Sequence, residues 1–202
     1  MIKYSFVYHA LMNYFPAFLK LDNYKILIVG GGSVATHKLS KVLDFCSNIE
    51  IIAERYSEEM LSMIIDHKLY YKTKVYEEGD VKGYDMVIIA VDNLDLQEQI
   101  FNETRKMRTL CNAVDSVAYC DFIFPSYIKE GDLTVAISTS GTSPAIAKHL
   151  KEYLKNSIPN SLHDFLKEMK EVRSTLPKGK ERMQYLNQKA REFFEPKQNN
   201  KQ

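Results

Sequence analysis

The stretch Lys25-Ile26-Leu27-Ile28-Val29-Gly30-Gly31-Gly32-Ser33-Val34-Ala35 decides the fold. A β-branched apolar run, as long as a buried strand, enters three glycines. Behind them Ala35, Leu39, Val42, Leu43 and Cys46 recur at helical spacing and form one apolar stripe. Gly30, Gly32 and Ala35 fit the pattern G-x-G-x-x-G/A. The first glycine permits a tight turn, the second lets backbone approach a pyrophosphate, and the small third residue lets helix pack closely on strand. Phosphate charge would then rest on free N–H groups at the helix N-terminus. Set within strand, turn and helix, the pattern predicts a dinucleotide site.

Downstream, Ile49-Glu50-Ile51-Ile52-Ala53 reads as a second strand ending at Glu54. A carboxylate about 20 residues beyond the glycines accepts hydrogen bonds from an adenosine ribose, which favours NAD, whereas an Arg such as Arg55 accommodates the 2′-phosphate of NADP. A solvated charge past a strand explains Glu54 equally well; NAD is the expected cofactor. Ser57 opens a short helix to Ile65, and Leu69 to Tyr76 alternates as a third strand. Tyr70 and Lys74 show Y-x-x-x-K spacing, but that pairing needs a helix to share a face, so it is set aside. Met86 to Val91 is the near-continuous apolar run of a central parallel strand. Asp92-Asn93 ends it, a helix follows to about Lys106, and Thr109 to Val114 is a fifth strand ending at Asp115. Carboxyl ends of such strands face the ligand crevice, which places Ala90 to Asp92 along the cofactor. Asp115 becomes a candidate general base or proton relay, although a turn-forming Asp has the same signature. Five strands alternating with helices predict an α/β fold, a Rossmann-like doubly wound parallel sheet.

Beyond Asp115 the pattern changes. Phe122-Ile123-Phe124-Pro125 is a short apolar run, and Leu133 to Ser138 alternates as an antiparallel strand with one covered face. Ser143-Pro144 is a strong helix start, with Ile146, Ala147, Leu150 and Leu154 as its apolar stripe. The preceding Ser138-Thr139-Ser140-Gly141-Thr142-Ser143 is hydroxyl-rich, and such a loop leading into a helix N-terminus binds anions. It reads equally well as a capped loop. From Leu162 to Phe194 the sequence is charged and helical in period, with Leu166, Met169, Val172, Leu186 and Phe193 expected to be buried and Pro177 separating two helices. The aromatic Tyr14 to Leu19 is expected to pack beside the first strand, and the polar tail from Pro196 to be disordered.

Composition excludes several classes. A net charge of +1 over 202 residues, with Lys and Arg scattered, argues against nucleic-acid or membrane-surface binding as the main activity. No apolar run approaches the roughly 18 residues that span a bilayer. Cys46, Cys111 and Cys120 lack C-x-x-C spacing and argue for a reducing compartment, and the five histidines are isolated, so no metal site is expected. A cytoplasmic protein is the expectation.

Five blocks now stand in order: Tyr14-Phe15-Pro16, Val29 to Ala35, Cys111-Asn112-Ala113-Val114-Asp115, Cys120 to Pro125, and Val135 to Pro144. Together they resemble the precorrin-2 dehydrogenases, the dehydrogenase module of siroheme synthases, over about Asn13 to Asn156. The resemblance implies NAD-dependent oxidation of precorrin-2, a carboxylate-rich tetrapyrrole, to sirohydrochlorin, usually by a homodimer. It implies an NAD-binding domain over 1–115, a dimerisation and substrate-loop region over 116–156 and a helical region over 157–202. It sets NAD contacts at Ser33 and Val34 and at Glu54 and Arg55, and the essential aspartate at Asp115. Substrate contacts are expected at Asn112 and from Ser138 to Ser143. Ser140 departs from relatives that often carry glycine there. No methyltransferase domain follows in this sequence, so that activity is not expected. Some relatives also insert iron; without a metal-ligand cluster, dehydrogenation alone is expected. The runner-up readings are a bifunctional dehydrogenase and ferrochelatase, and a non-catalytic NAD- or tetrapyrrole-binding module.

Overall fold

The computed structural model describes residues 14–195; residues 1–13 and the tail from Pro196 lie outside the described residues. Two compact units divide the chain, Met1–Phe124 and Pro125–Gln202.

The first unit is a five-stranded parallel sheet in the order β3-β2-β1-β4-β5. Its elements are β1 (Ile26–Val29), α1 (Ser33–Leu43), β2 (Ile49–Ala53), α2 (Glu58–His67), β3 (Tyr70–Thr73), β4 (Met86–Ile89), α3 (Leu94–Met107) and β5 (Leu110–Ala113). Ile26 pairs with Ile49 on one side and Met86 on the other, so β1 lies at the centre with the chain order reversing between β1 and β4. Alternate residues of β1 point to opposite faces. Ile26 and Ile28 join Leu39, Val42, Met60 and Ile64 beneath α1 and α2, while Leu27 and Val29 join Val81, Val87, Ile89 and Ile100 beneath α3. Helices cover both faces, which is why β1 and β4 are apolar at every position. Each such fully buried Ile or Leu contributes roughly 1.5–3 kcal/mol.

The edge behaves differently. All four residues of β3 are exposed, and Lys72 makes a 2.5 Å ion pair with Glu50 of β2, placing charge where a flat apolar edge would invite pairing. Burial alone would raise the Glu50 pKa; the hydrogen bonds from Lys72 and Tyr84 outweigh it and hold the carboxyl below its ordinary value. After β3, buried Glu103 of α3 accepts from the Tyr76 hydroxyl at 2.5 Å and from Gly79 N at 2.7 Å, so its carboxylate is satisfied away from water. The 14–20 segment carries no regular structure. Phe15 and Phe18 are 87% and 75% exposed, so the expected packing of these aromatics beside β1 is not found.

In the second unit β6 (Ser126–Glu130) and β7 (Leu133–Ile137) form an antiparallel hairpin, followed by α4 (Pro144–Ser157), α5 (Leu162–Thr175) and α6 (Lys180–Phe194). Ile128, Ile137 and Ala147 are its buried apolar residues. The α4 stripe is only partly covered, since Ile146 and Leu150 are exposed. Leu166, Met169, Val172, Leu186 and Phe193, expected to be buried, are half-buried. A stacked pair, Phe165 and Phe193 at 4.3 Å, joins α5 to α6, and Arg182 donates to the carbonyls of Arg173 and Leu176 across the Pro177 break.

Candidate cofactor and catalytic site

The three glycines between β1 and α1 differ in what surrounds them. Gly30 lies at φ +127°, and a Cβ there would stand 2.3 Å from the Ala90 carbonyl oxygen at the end of β4. Gly31, the unassigned middle position of the motif, is equally constrained, because its Cβ would meet the Arg55 carbonyl oxygen at 2.2 Å. Gly32 has nothing within 4 Å of a Cβ, so its side is open. Sequence reading missed Gly31. The signal was present in three consecutive glycines where the motif asks for two.

Gly32 is the N-cap of α1, with no side-chain cap and no acidic residue in the first turn. The N–H of Thr36 returns to the Gly32 carbonyl, and the preceding N–H groups, Ser33 to Ala35, open the helix. Ser33 and Val34 are exposed and Ala35 is buried against the sheet. A helix start with no side-chain cap, the positive end of the helix dipole and an open side at Gly32 together have the character that anion binding asks for.

Glu54 and Arg55, both exposed, follow β2 directly. The backbone there is fastened to the glycine loop: Ser57 N donates to the Gly31 carbonyl at 2.8 Å, and the Ser57 and Thr36 hydroxyls meet at 3.1 Å. Asp92 is exposed past β4, and Asn93 caps α3 by accepting from Leu96 N at 3.1 Å. Asp115 is exposed past β5 at φ 60°. Of four non-glycine residues with positive φ among the described residues, Lys68 and Arg108 are helix C-caps; the other two are Asp115 and Ser140. Residues held in this region cost of order 1 kcal/mol or more and cluster at functional sites.

Two residues that sequence reading missed organise this edge. Gln97, 3% exposed, donates to the Val91 carbonyl at 2.7 Å and the Val114 carbonyl at 3.3 Å, and its amide oxygen accepts from Ser116. It thereby fastens the loops bearing Asp92 and Asp115. Lys38 of α1 reaches Asn112 of β5, Nζ to Oδ1 at 3.4 Å, and lies 4.1 Å above the Phe124 ring centroid. Burial, then the neighbouring Lys41, bring its pKa down to about 8, against the opposing pull of Asp115. Neither residue is polar in a pattern that helical periodicity separates from a solvated face.

Asn112, expected on the substrate side, is 4% exposed and its amide is engaged internally: Nδ2 donates to the Phe122 carbonyl at 2.8 Å while Oδ1 faces Lys38. It thereby ties β5 to the Phe122 segment and to α1. Cys111 is pushed up to about 12 by burial and Cys120 is raised for the same reason, so both are neutral thiols and poor nucleophiles.

In the second unit, Ser138 to Ser143 is a self-capped turn. Thr139 Oγ1 donates to the Ser143 carbonyl, Ser143 N and Ser140 N donate to the Thr139 and Ser138 hydroxyls, and Ser143 Oγ caps α4 by accepting from Ile146 N at 3.3 Å. Outwardly the turn presents Ser140, Gly141 and Thr142, all exposed, with Ser140 at φ 51° and Gly141 at φ 82°. Among the described residues no group of His, Cys, Asp and Glu could hold a metal ion, and no helix is long and apolar enough to cross a membrane.

An NAD(P)-binding family model matches residues 17–126, and a model of the central part of sirohaem biosynthesis proteins matches residues 130–157. The chain is 33% identical over 151 residues to the siroheme synthase of Mannheimia succiniciproducens, covering 75% of this chain and 32% of that protein. The siroheme synthase of Methylococcus capsulatus is 33% identical over 178 residues, covering 86% of this chain and 38% of that protein. The chain thus spans about a third of the length of these relatives. A solved structure described as SirC, precorrin-2 dehydrogenase, superposes with a TM-score of 0.74 at 24% identity, over 87% of this chain and 88% of that one, and shares the fold. With more than half of its residues matched by the first model, the chain belongs to this NAD(P)-binding family, with the sirohaem-biosynthesis central segment behind it.

Proposed function

We propose that the protein is an NAD-dependent dehydrogenase that oxidises precorrin-2 to sirohydrochlorin in siroheme biosynthesis. The observation that carries this reading is the start of α1, a glycine N-cap with an open side and no side-chain competitor for an anion. The siroheme synthase relatives and the sirohaem-biosynthesis segment at 130–157 support the substrate class. In this reading Gly30 and Gly32 shape the loop, and the N–H groups of Ser33, Val34 and Ala35 hold the pyrophosphate. Glu54 accepts from the adenosine ribose and favours NAD over NADP, with Arg55 beside it; Asp92 lines the same edge. Bound nicotinamide supplies the hydride acceptor. Asp115, held at positive φ, orients the macrocycle or takes part in moving its proton. The turn from Ser138 to Ser143, which presents Ser140, Gly141 and Thr142 outward, contacts the carboxylate arms of the tetrapyrrole. A cytoplasmic homodimer, with 116–156 as its dimerisation and substrate-loop region, completes the proposal.

The test is an anaerobic assay of precorrin-2 with NAD or NADP, followed by absorbance of NAD(P)H and of sirohydrochlorin. Turnover with NAD is expected to exceed that with NADP; the reverse order would remove the role given to Glu54. Asp115→Ala is expected to abolish NADH formation with NAD affinity changed by less than about threefold, under 1 kcal/mol. An active Asp115→Ala variant would strike Asp115 from the mechanism.

A further inference from the structure

We infer that Lys38 is a proton-accepting residue of the oxidation proposed above, its amine held by Asn112 and by the face of Phe124 near the carboxyl end of β5; the inference rests on that reading of the reaction. The geometry is specific. A lysine on the polar flank of a surface helix ordinarily extends into water, whereas Lys38 folds onto an aromatic ring and a buried amide. Asn112 is itself fixed by its bond to the Phe122 carbonyl, so the amine is positioned by a rigid partner.

The surrounding charges set the amine's state. His37 and Lys41 face it from α1, and Asp115 and Cys120 face it from the segment after β5. Burial and Lys41 disfavour the ammonium, Asp115 favours it, and the balance lies near pH 8, against about 10.4 for a free lysine. A useful fraction of the amine is therefore neutral at physiological pH, as a base must be.

The step balances. Oxidation removes a hydride and a proton from the macrocycle: a C–H bond breaks with both electrons leaving to NAD⁺, and a ring N–H bond breaks with its proton passing to the Lys38 amine. The resulting ammonium returns that proton to solvent. Asp115 tunes and steadies the amine through its charge.

Two measurements test this. Reductive ¹³C-methylation of the lysines followed by NMR titration is expected to show one resonance titrating near pH 8, absent from Lys38→Arg, moving lower in Asp115→Asn and higher in Lys41→Gln. In turnover, Lys38→Met and Lys38→Arg are both expected to lose at least about 100-fold in kcat with KM little changed, and the wild-type kcat to rise with pH through about 8. Lys38→Met keeps the aliphatic stem over Phe124, and its thermal unfolding checks that the fold is intact. A Lys38→Arg variant with wild-type kcat overturns the assignment, since arginine carries charge but does not deprotonate; a lysine titrating at its ordinary value overturns it also. No NADH formation by the wild type would overturn the reaction itself and this role with it.

Discussion

Helices α2 and α3 open on Ser57 and Asn93, whose side chains accept from the first turn, with Glu58, Glu59 and Asp95 behind them. Helix α1, lying on the same sheet, opens on Gly32 with neither device. The first two have a side-chain acceptor for a first-turn N–H and are stabilised by it; α1 has no such acceptor at its positive end. The start of α1 goes without the roughly 1 kcal/mol that a side-chain cap contributes, as the proposed pyrophosphate contact requires.

The sharpest way to break this comparison is at Gly31. A Cβ there meets main chain at Arg55, which has little freedom to move, so Gly31→Val is expected to destabilise the protein by about 3 kcal/mol in denaturant unfolding. An unchanged midpoint would mean that the two loops are not in contact. Next is Gly32→Asp, which supplies the missing cap in a backbone (φ −85°, ψ −175°) that suits it. Cofactor affinity, by calorimetry, is expected to fall at least about tenfold, or 1.4 kcal/mol, while thermal stability holds or rises. Tighter binding together with a lower melting temperature would reverse the interpretation of α1. The smallest effects belong to Asn93→Ala and Ser57→Ala, each expected to cost about 1 kcal/mol of stability. Asn93→Ala is expected to leave NAD affinity untouched; Ser57→Ala is expected to weaken it slightly, because the lost hydroxyl also meets Thr36.

The parts of the molecule legible in the sequence are those where burial is uniform. Met86 to Ile89 has no polar residue because both faces are covered, and Ser143-Pro144 starts α4 because cap and φ preference coincide. By contrast, Ser126-Tyr127-Ile128-Lys129-Glu130 escaped notice as β6, since only Ile128 is buried and the strand is held by its pairing with β7. Half-covered helices mislead in the opposite direction: periodicity locates the stripe on α5 and α6 but not how deeply it is buried. At the site, glycines and strand-end acids are visible because their positions follow from the fold's geometry. Gln97 and Lys38 are not, for their roles arise from carbonyls and a ring that the fold brings near them, at 91 and 114 for one and at 112 and 124 for the other. Asn112 shows the converse, a polar residue at a strand end that faces inward.

The seating of Gly31 on the Arg55 carbonyl, with Ser57 N returning to the Gly31 carbonyl, bears on how this protein can change its cofactor over evolution or by engineering. Side chains at 54 and 55 are exposed and open to exchange, so under the proposed roles of Glu54 and Arg55 a shift from a ribose hydroxyl to a ribose phosphate is reachable by point substitution. The main chain beneath them is not open in this way. Proline at 57 would delete the N–H that meets Gly31, and an insertion between 53 and 57 would lift the carbonyl off the glycine. Variation at this corner is therefore expected as changes of letter at constant length.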